Sequence, residues 1–385
     1  MRNPVKKIIL IISVLRRTKI RWGNYGTCEI LIYDKIGADD FDPYLKDFNV
    51  SKLAVRGEEI YVIFMLKSLF SKSFWAHPMR IYAENIIRAS NPKIVLTHID
   101  NNPSFYKISK RFTEIKTVMV QNGIRDCVAD KFSLEVGIAE NKVDHIFVHG
   151  SAIGEYMKKL VEGSVYACGS LRNNKVDISY TFIPNTVLFI SQVIPSSQSL
   201  EFITLIDGQN VTWENFYEAE RLLLPLIYEW CDKSGFRLKI CSRTDHALEE
   251  KFFRDHIPGG DWDFLLKKGD ATSYELVDQA EIVISIDSTL GLESMARGKK
   301  VAFLSCRNCS VRDWPAFFWP AIMPSDGSFW TRSISNTEVT RLLDFLSKIS
   351  EKDWRELSDQ HSELLMQRDF QNTQFQTIIN SIMSK

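Results

Sequence analysis

Apolar residues fall along the chain in short, nearly unbroken blocks, separated by longer stretches with helical spacing. In the first half the blocks are Glu29–Tyr33, Lys93–Thr97, Thr117–Val120, His145–Val148 and Val165–Cys168. In the second half they are Val187–Ile190, Arg237–Cys241, Asp263–Leu266, Ile282–Ile286 and Val301–Leu304. They are rich in Val and Ile and barely alternate, as strands do when helices cover both faces. The spacing between them predicts helices over Ile60–Phe70, Phe74–Ala89, Ser104–Arg111, Ile153–Leu160, Trp213–Ser234, Ala247–Asp255, Tyr274–Gln279, Leu290–Arg297 and Thr337–Ile349, then a long region from Glu351 toward Lys385. Strands alternating with helices imply βαβ units and parallel sheets.

The stretch Asn173–Thr186 has few helical features and contains Pro184, so it is expected to be a linker. It separates an N-terminal Rossmann-like domain (28–172) from a C-terminal Rossmann-like domain (187–335), followed by C-terminal helices (336–385). The expected fold is α/β, with two parallel-sheet domains facing a central cleft. Ligands in such sheets bind outside the carboxyl ends of the strands.

The N-terminus (1–27) reads as a short basic and apolar helix. Ile8–Leu15 is too short to span a bilayer, Arg16, Arg17, Lys19 and Arg21 follow it, and a small-residue cleavage site is lacking. Such a helix either packs on the first domain or touches an anionic membrane surface. The expected location is cytoplasmic, with peripheral contact at the inner face of the plasma membrane as the second option.

Composition narrows the classes. The chain has 385 residues, 45% hydrophobic and 25% charged, with a formal net charge of +0. These values suit two globular cores and give no basic excess for nucleic acid. Seven scattered cysteines read as reduced thiols, and Cys306-x-x-Cys309 has no partner pair to complete a zinc site. Phosphate-loop, dinucleotide-fingerprint and nucleophile-elbow motifs are all lacking. No cofactor and no metal are expected.

The candidate chemistry lies just after the strands. Asp287-Ser288-Thr289-Leu290-Gly291-Leu292-Glu293 opens a helix. Ser288 and Thr289, with the first-turn amides, can hold a phosphate. Gly291 allows a close backbone approach. Glu293 serves either a capping box or a ribose, capping being favoured. In the first domain, His98, Asp100, Asn101 and Asn102 follow one strand; Gln121, Asn122, Gly123 and Arg125 follow the next; His149 follows the third; Gly169 and Ser170 follow the last, with Arg172 near. Asp100 is the candidate general base, or else a helix cap, and His149 a phosphate or proton carrier. The acidic loop Asp34, Gly37, Asp39 and Asp40 reads as a solvated turn.

The stretch VISIDSTLGLESMARGKKVAFL resembles the C-terminal half of GT-B glycosyltransferases of bacterial surface carbohydrate, especially the Kdo-like ulosonic-acid transferases and related polymer-phosphate transferases. The segments at 98–110, 118–126, 143–150 and 168–174 are similar to proteins of surface-carbohydrate clusters. The resemblance implies a GT-B-like fold and a donor site at Gly169, Ser170, Arg243, Ser288, Thr289 and Glu293. It implies an acceptor site at His98, Asn101, Asn102, Gln121, Asn122, Gly123 and Arg125. The group's His-Pro pair after the second strand of the C-terminal domain is replaced here by Ser242-Arg243-Thr244, with Arg243 standing in for the His. The implied function is transfer of a sugar, a CMP-activated ulosonic acid by first choice, from a nucleotide donor to a glycan or lipid-linked glycan. The alternatives are a CDP-alditol polymer-phosphate transferase and a non-catalytic sugar-binding scaffold.

Overall fold

The structure is a computed structural model that describes residues 18–123, 141–179, 181–194, 202–204, 210–244, 247–311 and 323–384. Its first half contains β1 (Ile30–Tyr33), β2 (Val50–Leu53), α1 (Val62–Leu69), α2 (Pro78–Ser90), β3 (Ile94–Thr97), β4 (Lys116–Val120), β5 (Lys142–Val148), α3 (Ser151–Met157), β6 (Glu162–Ala167) and α4 (Leu171–Lys175). The six strands form one sheet in the order β2-β1-β3-β4-β5-β6, parallel throughout.

The second half contains β7 (Thr186–Ile190), α5 (Glu218–Ser234), β8 (Arg237–Cys241), α6 (Ala247–His256), β9 (Trp262–Leu265), α7 (Asp270–Gln279), β10 (Ile282–Ser285), α8 (Thr289–Ala296), β11 (Lys300–Leu304) and β12 (Trp330–Thr331). Its sheet runs β9-β8-β7-β10-β11-β12, again parallel. Three helices close the chain: α9 (Asn336–Lys348), α10 (Glu351–Leu365) and α11 (Thr373–Met383).

All ten apolar blocks are strands, displaced by at most three residues at an end. The edge strand β2 escaped the pattern because Val-Ser-Lys-Leu is half polar and partly exposed. Each sheet buries its own core between helices, as its Val/Ile-rich strands require. The far end of the chain breaks the sequential order. At Gln371 and Asn372 φ turns positive and the chain leaves the second unit. Helix α11 then lays Phe375, Ile379 and Met383 on the first sheet, against Ile32, Leu96, Val120 and Phe147.

Two expectations need correcting. Lys19–Arg21 is a strand, not part of a helix: it pairs in parallel with Glu59–Tyr61, and Arg21 bonds Glu59 at 2.5 Å. The apolar stretch at 8–15 lies outside the described residues. The linker segment also begins as structure, because Asn173 and Asn174 belong to α4 and are buried. Asn174 Nδ2 donates to the Cys168 carbonyl at 2.7 Å and to Asn372 Oδ1 at 2.8 Å.

The units are tied by Arg297, just after α8. It pairs with Asp278 at 2.5 Å and donates to Asn173 Oδ1 and to the carbonyls of Val176 and Asp177. Among the described residues no helix is long and apolar enough to cross a membrane.

Candidate active site

The strand orders fix where a site can form. Chain direction across the first sheet reverses between β1 and β3, and across the second between β7 and β10. Loops leaving such a switch point diverge and open a crevice at the carboxyl ends. Here the two crevices face each other. Between them lies a cavity of about 190 Å³, lined from the first unit by His98, Asn122, Ser170 and Arg172, and from the second by Lys267, Ser273, Tyr274, Thr289, Leu290 and Glu293.

On the second unit's side, Ser288 is the N-cap of α8, its hydroxyl accepting from the Leu290 N–H at 3.3 Å. That hydroxyl is spent on the helix, whereas Thr289, one residue on, lines the cavity. Gly291 serves packing rather than ligand approach: a Cβ there would stand 2.5 Å from the Ser285 side chain and 3.0 Å from Phe303. Glu293 is not a capping-box residue. The box requires a position three after the cap, and Glu293 is five after Ser288. It is buried at the cavity wall, hydrogen-bonded to Ser170 of the other unit and to Tyr274. Burial raises its pKa, only partly offset by those bonds and by the charges of Arg172 and Arg297. The phenol of Tyr274 is pushed well up by burial and by the Glu293 charge.

The first unit supplies a charged cluster. His98 Nδ1 lies 3.1 Å from Asp40 Oδ2 and 3.2 Å from the Gly37 carbonyl. Asp40 Oδ2 also accepts from Arg172 Nε at 2.8 Å. Burial tends to raise the Asp40 pKa, but the His98 hydrogen bond and the Arg172 charge outweigh it and hold the carboxyl below its ordinary value. The acidic loop is therefore not a wholly solvated turn: Asp40 is half-buried, and Asp34 is buried and paired with Arg56 at 2.8 Å. Only Asp39 keeps a surface role, against Lys52. The signal for Asp40 was its place after β1 at the switch point.

Among the other candidates, Asn122 lines the cavity. Gln121 and Gly123 close the turn beside it. Gln121 donates from Nε2 to the Gly123 carbonyl at 3.0 Å and accepts the His149 N–H at 2.9 Å, so its amide is committed to holding strand ends together. Asp100 is buried off the cavity, its carbonyl accepting from the Tyr106 hydroxyl. Asn101 is exposed, and Asn102 Oδ1 accepts from the Ser104 N–H, the turn-making role that Asp100 was offered as a cap. His149 is fully buried and its carbonyl accepts from Gln367, which places it under the C-terminal segment. Gly169 is held by that same segment: its φ is +77°, and a Cβ would stand 1.9 Å from the Gln367 carbonyl. Arg243 points to Gln192, donating to its carbonyl at 2.8 Å, and does not line the cavity. Arg125 lies outside the described residues.

Lys267, Ser273 and Tyr274 are cavity residues that the sequence pattern did not single out. Lys267 directly follows a block read as a strand, so the strand-end rule applied there would have found it. Among the described residues no three His, Cys, Asp or Glu side chains gather to hold a metal.

A cleft between two facing parallel α/β units, with the N-terminus of α8 and the cations Arg172 and Lys267 beside it, is a GT-B-like architecture. A family model described as "putative O-antigen biosynthesis protein" matches residues 118–383, and the chain belongs to that family. No curated protein matches the chain. Among solved structures it is similar to S. aureus MnaA in a co-structure with UDP (TM-score 0.54, 12% identity, covering 96% of this chain and 97% of that one). It is also similar to UDP-GlcNAc 2-epimerase from Neisseria meningitidis bound to UDP-GlcNAc (0.50, 12%, 96% and 100%). A third is the wall teichoic acid polymerase TagF (0.50, 9%, 92% and 88%). At these identities the likeness speaks for the fold alone.

Proposed function

We propose that the protein is a glycosyltransferase that moves a sugar from a nucleotide donor to a growing surface glycan. One observation carries the reading. A cavity shared by the two switch points gathers His98, Arg172 and Lys267 beside Thr289, Tyr274 and Glu293. Three groups able to carry positive charge around one small cavity suit a phosphate-linked leaving group. The α8 N-terminus adds its first-turn amides and dipole. In this reading Thr289 and α8 hold the donor phosphate, and Arg172 and Lys267 neutralise the charge that develops as the nucleotide leaves. Glu293, with Ser170 and Tyr274, bonds donor hydroxyls. Asn122 and His98 face the acceptor.

His98 is the general base of this proposal in place of Asp100. The imidazole borders the cavity, whereas Asp100 does not. For the donor, a CMP-linked ulosonic acid remains the first choice on the Ser-Thr helix and Gly-Lys-Lys stretch. Its acceptor is a glycan or lipid-linked glycan built at the inner membrane face.

The test is nucleotide release from CMP-sugars, CDP-alditols, UDP-sugars and GDP-sugars with surface-glycan acceptors. Acceptor-dependent release from one sugar donor, lost in Thr289→Ala with Arg172→Ala, is expected. Release from CDP-alditol alone would replace this reading by polymer-phosphate transfer. Sugar binding without any release would replace it by a scaffold role.

A further inference from the structure

Asp40 has two partners at one carboxylate oxygen. His98 Nδ1 is 3.1 Å away and Arg172 Nε 2.8 Å away, although the three residues come from three separate segments of the chain. Nδ1 also faces the Gly37 carbonyl at 3.2 Å. A carbonyl and a carboxylate can only accept, so Nδ1 must carry the proton. In neutral His98 the lone pair then lies on Nε2, the one ring nitrogen left to a cavity ligand.

The surroundings hold that arrangement. Phe41 packs edge-on against the imidazole at 5.3 Å and offers no polar alternative. Gly37 adopts φ +70°, and a Cβ on it would stand 2.9 Å from Nδ1, so the glycine makes room for the ring. Asp40 and Arg172 are the charged groups in the ring's own cluster. Across the cavity stand Lys267, Glu293 and Tyr274.

We propose that Asp40 is a positioning residue that sets two cavity groups at once, fixing His98 as the Nδ1–H tautomer and aiming the Arg172 guanidinium at the same cavity. The inference rests on the transferase reading for its consequence. In the reaction the acceptor hydroxyl gives its proton to His98 Nε2 while its oxygen bonds the anomeric carbon. The bond from that carbon to the nucleotide phosphate breaks, and the phosphate oxygen keeps the electron pair. Asp40 stabilises the imidazolium, Arg172 the departing phosphate, and the proton on Nε2 passes to solvent as the nucleotide leaves. A carboxylate that holds a histidine tautomer in this way acts without itself being protonated.

The test is nitrogen NMR of the full chain labelled at histidine, with His98 assigned by His98→Gln. The wild type should rest as the Nδ1–H tautomer. Asp40→Asn, whose amide can donate toward Nδ1, should shift the population toward Nε2–H. It should also lower kcat roughly a hundredfold or more with acceptor KM little changed. Asp40→Glu should restore the Nδ1–H signature. A wild-type resting state of Nε2–H, or an unchanged tautomer in Asp40→Asn, overturns the proposal. The wild-type spectrum alone decides should Asp40→Asn not fold. Because the tautomer is read without turnover, its outcome stands apart from the transferase assay.

Discussion

Each sheet carries an arginine–carboxylate cluster at its switch point, and the two clusters differ in what they face. In the second unit Arg307 is fully buried. It bonds Glu220 at 2.7 Å, Asp287 at 2.6 Å and the Phe216 carbonyl, and sits 4.4 Å over the Phe216 ring. Those partners satisfy it. Burial nonetheless raises the Glu220 pKa, Arg307 only partly offsetting the cost. In the first unit Arg172 and His98 share Asp40, and both line the cavity. The same chemistry is closed on itself in one unit and open in the other. The closed cluster pins Asp287, and with it the Ser288 cap where α8 begins. The open one can act on a ligand. Burial with every partner inside the protein marks a structural cluster; burial against a cavity marks a working one.

Substitutions should separate the two roles. Arg307→Ala leaves the buried Glu220 and the half-buried Asp287 uncompensated and should cost about 3–5 kcal/mol in urea unfolding. His98→Gln should leave the unfolding midpoint close to wild type while kcat falls roughly a hundredfold or more in the nucleotide-release assay. Equal losses of stability in both variants would erase the distinction. Arg172→Ala should weaken nucleotide binding by about 1.5–3 kcal/mol, the range for a charged hydrogen bond, as read by titration calorimetry.

The smallest effect concerns Glu293→Gln. Burial raises the Glu293 pKa above its ordinary 4.5, so the folded state favours the protonated acid. The resulting stability is full below the unfolded pKa and is lost as pH rises through the folded one. Relative to Glu293→Gln, the wild type should therefore gain stability as pH falls from 7 toward 4. Thermal unfolding across that range checks the sign, and a relative loss of stability on acidification would contradict it.

Much of the fold was legible because strands buried on both faces must be almost wholly apolar, and that leaves blocks any reader can see. Positions after strands then pointed to His98, Asn122, Ser170, Thr289 and Glu293, all of which line the cavity. The rest depended on contacts that spacing does not carry. Asp40 meets His98 and Arg172, 58 and 132 residues away, through the sheet order alone. Gly169 and His149 answered to a C-terminal segment that returns from the other end of the chain. Arg243 followed a strand as a donor ligand should, but the side chain turns to Gln192. Asp100 followed the right strand, yet its loop folds it inward and leaves His98 at the cavity.

The most direct test of the central claim is thermal unfolding of the wild type and of Thr289→Ala with Arg172→Ala against CMP, CDP, UDP and GDP. A ligand that binds only the folded state raises the midpoint by mass action. One nucleotide should raise the wild-type midpoint and leave the double variant unmoved. No shift with any nucleotide, or an equal shift in both proteins, would contradict it.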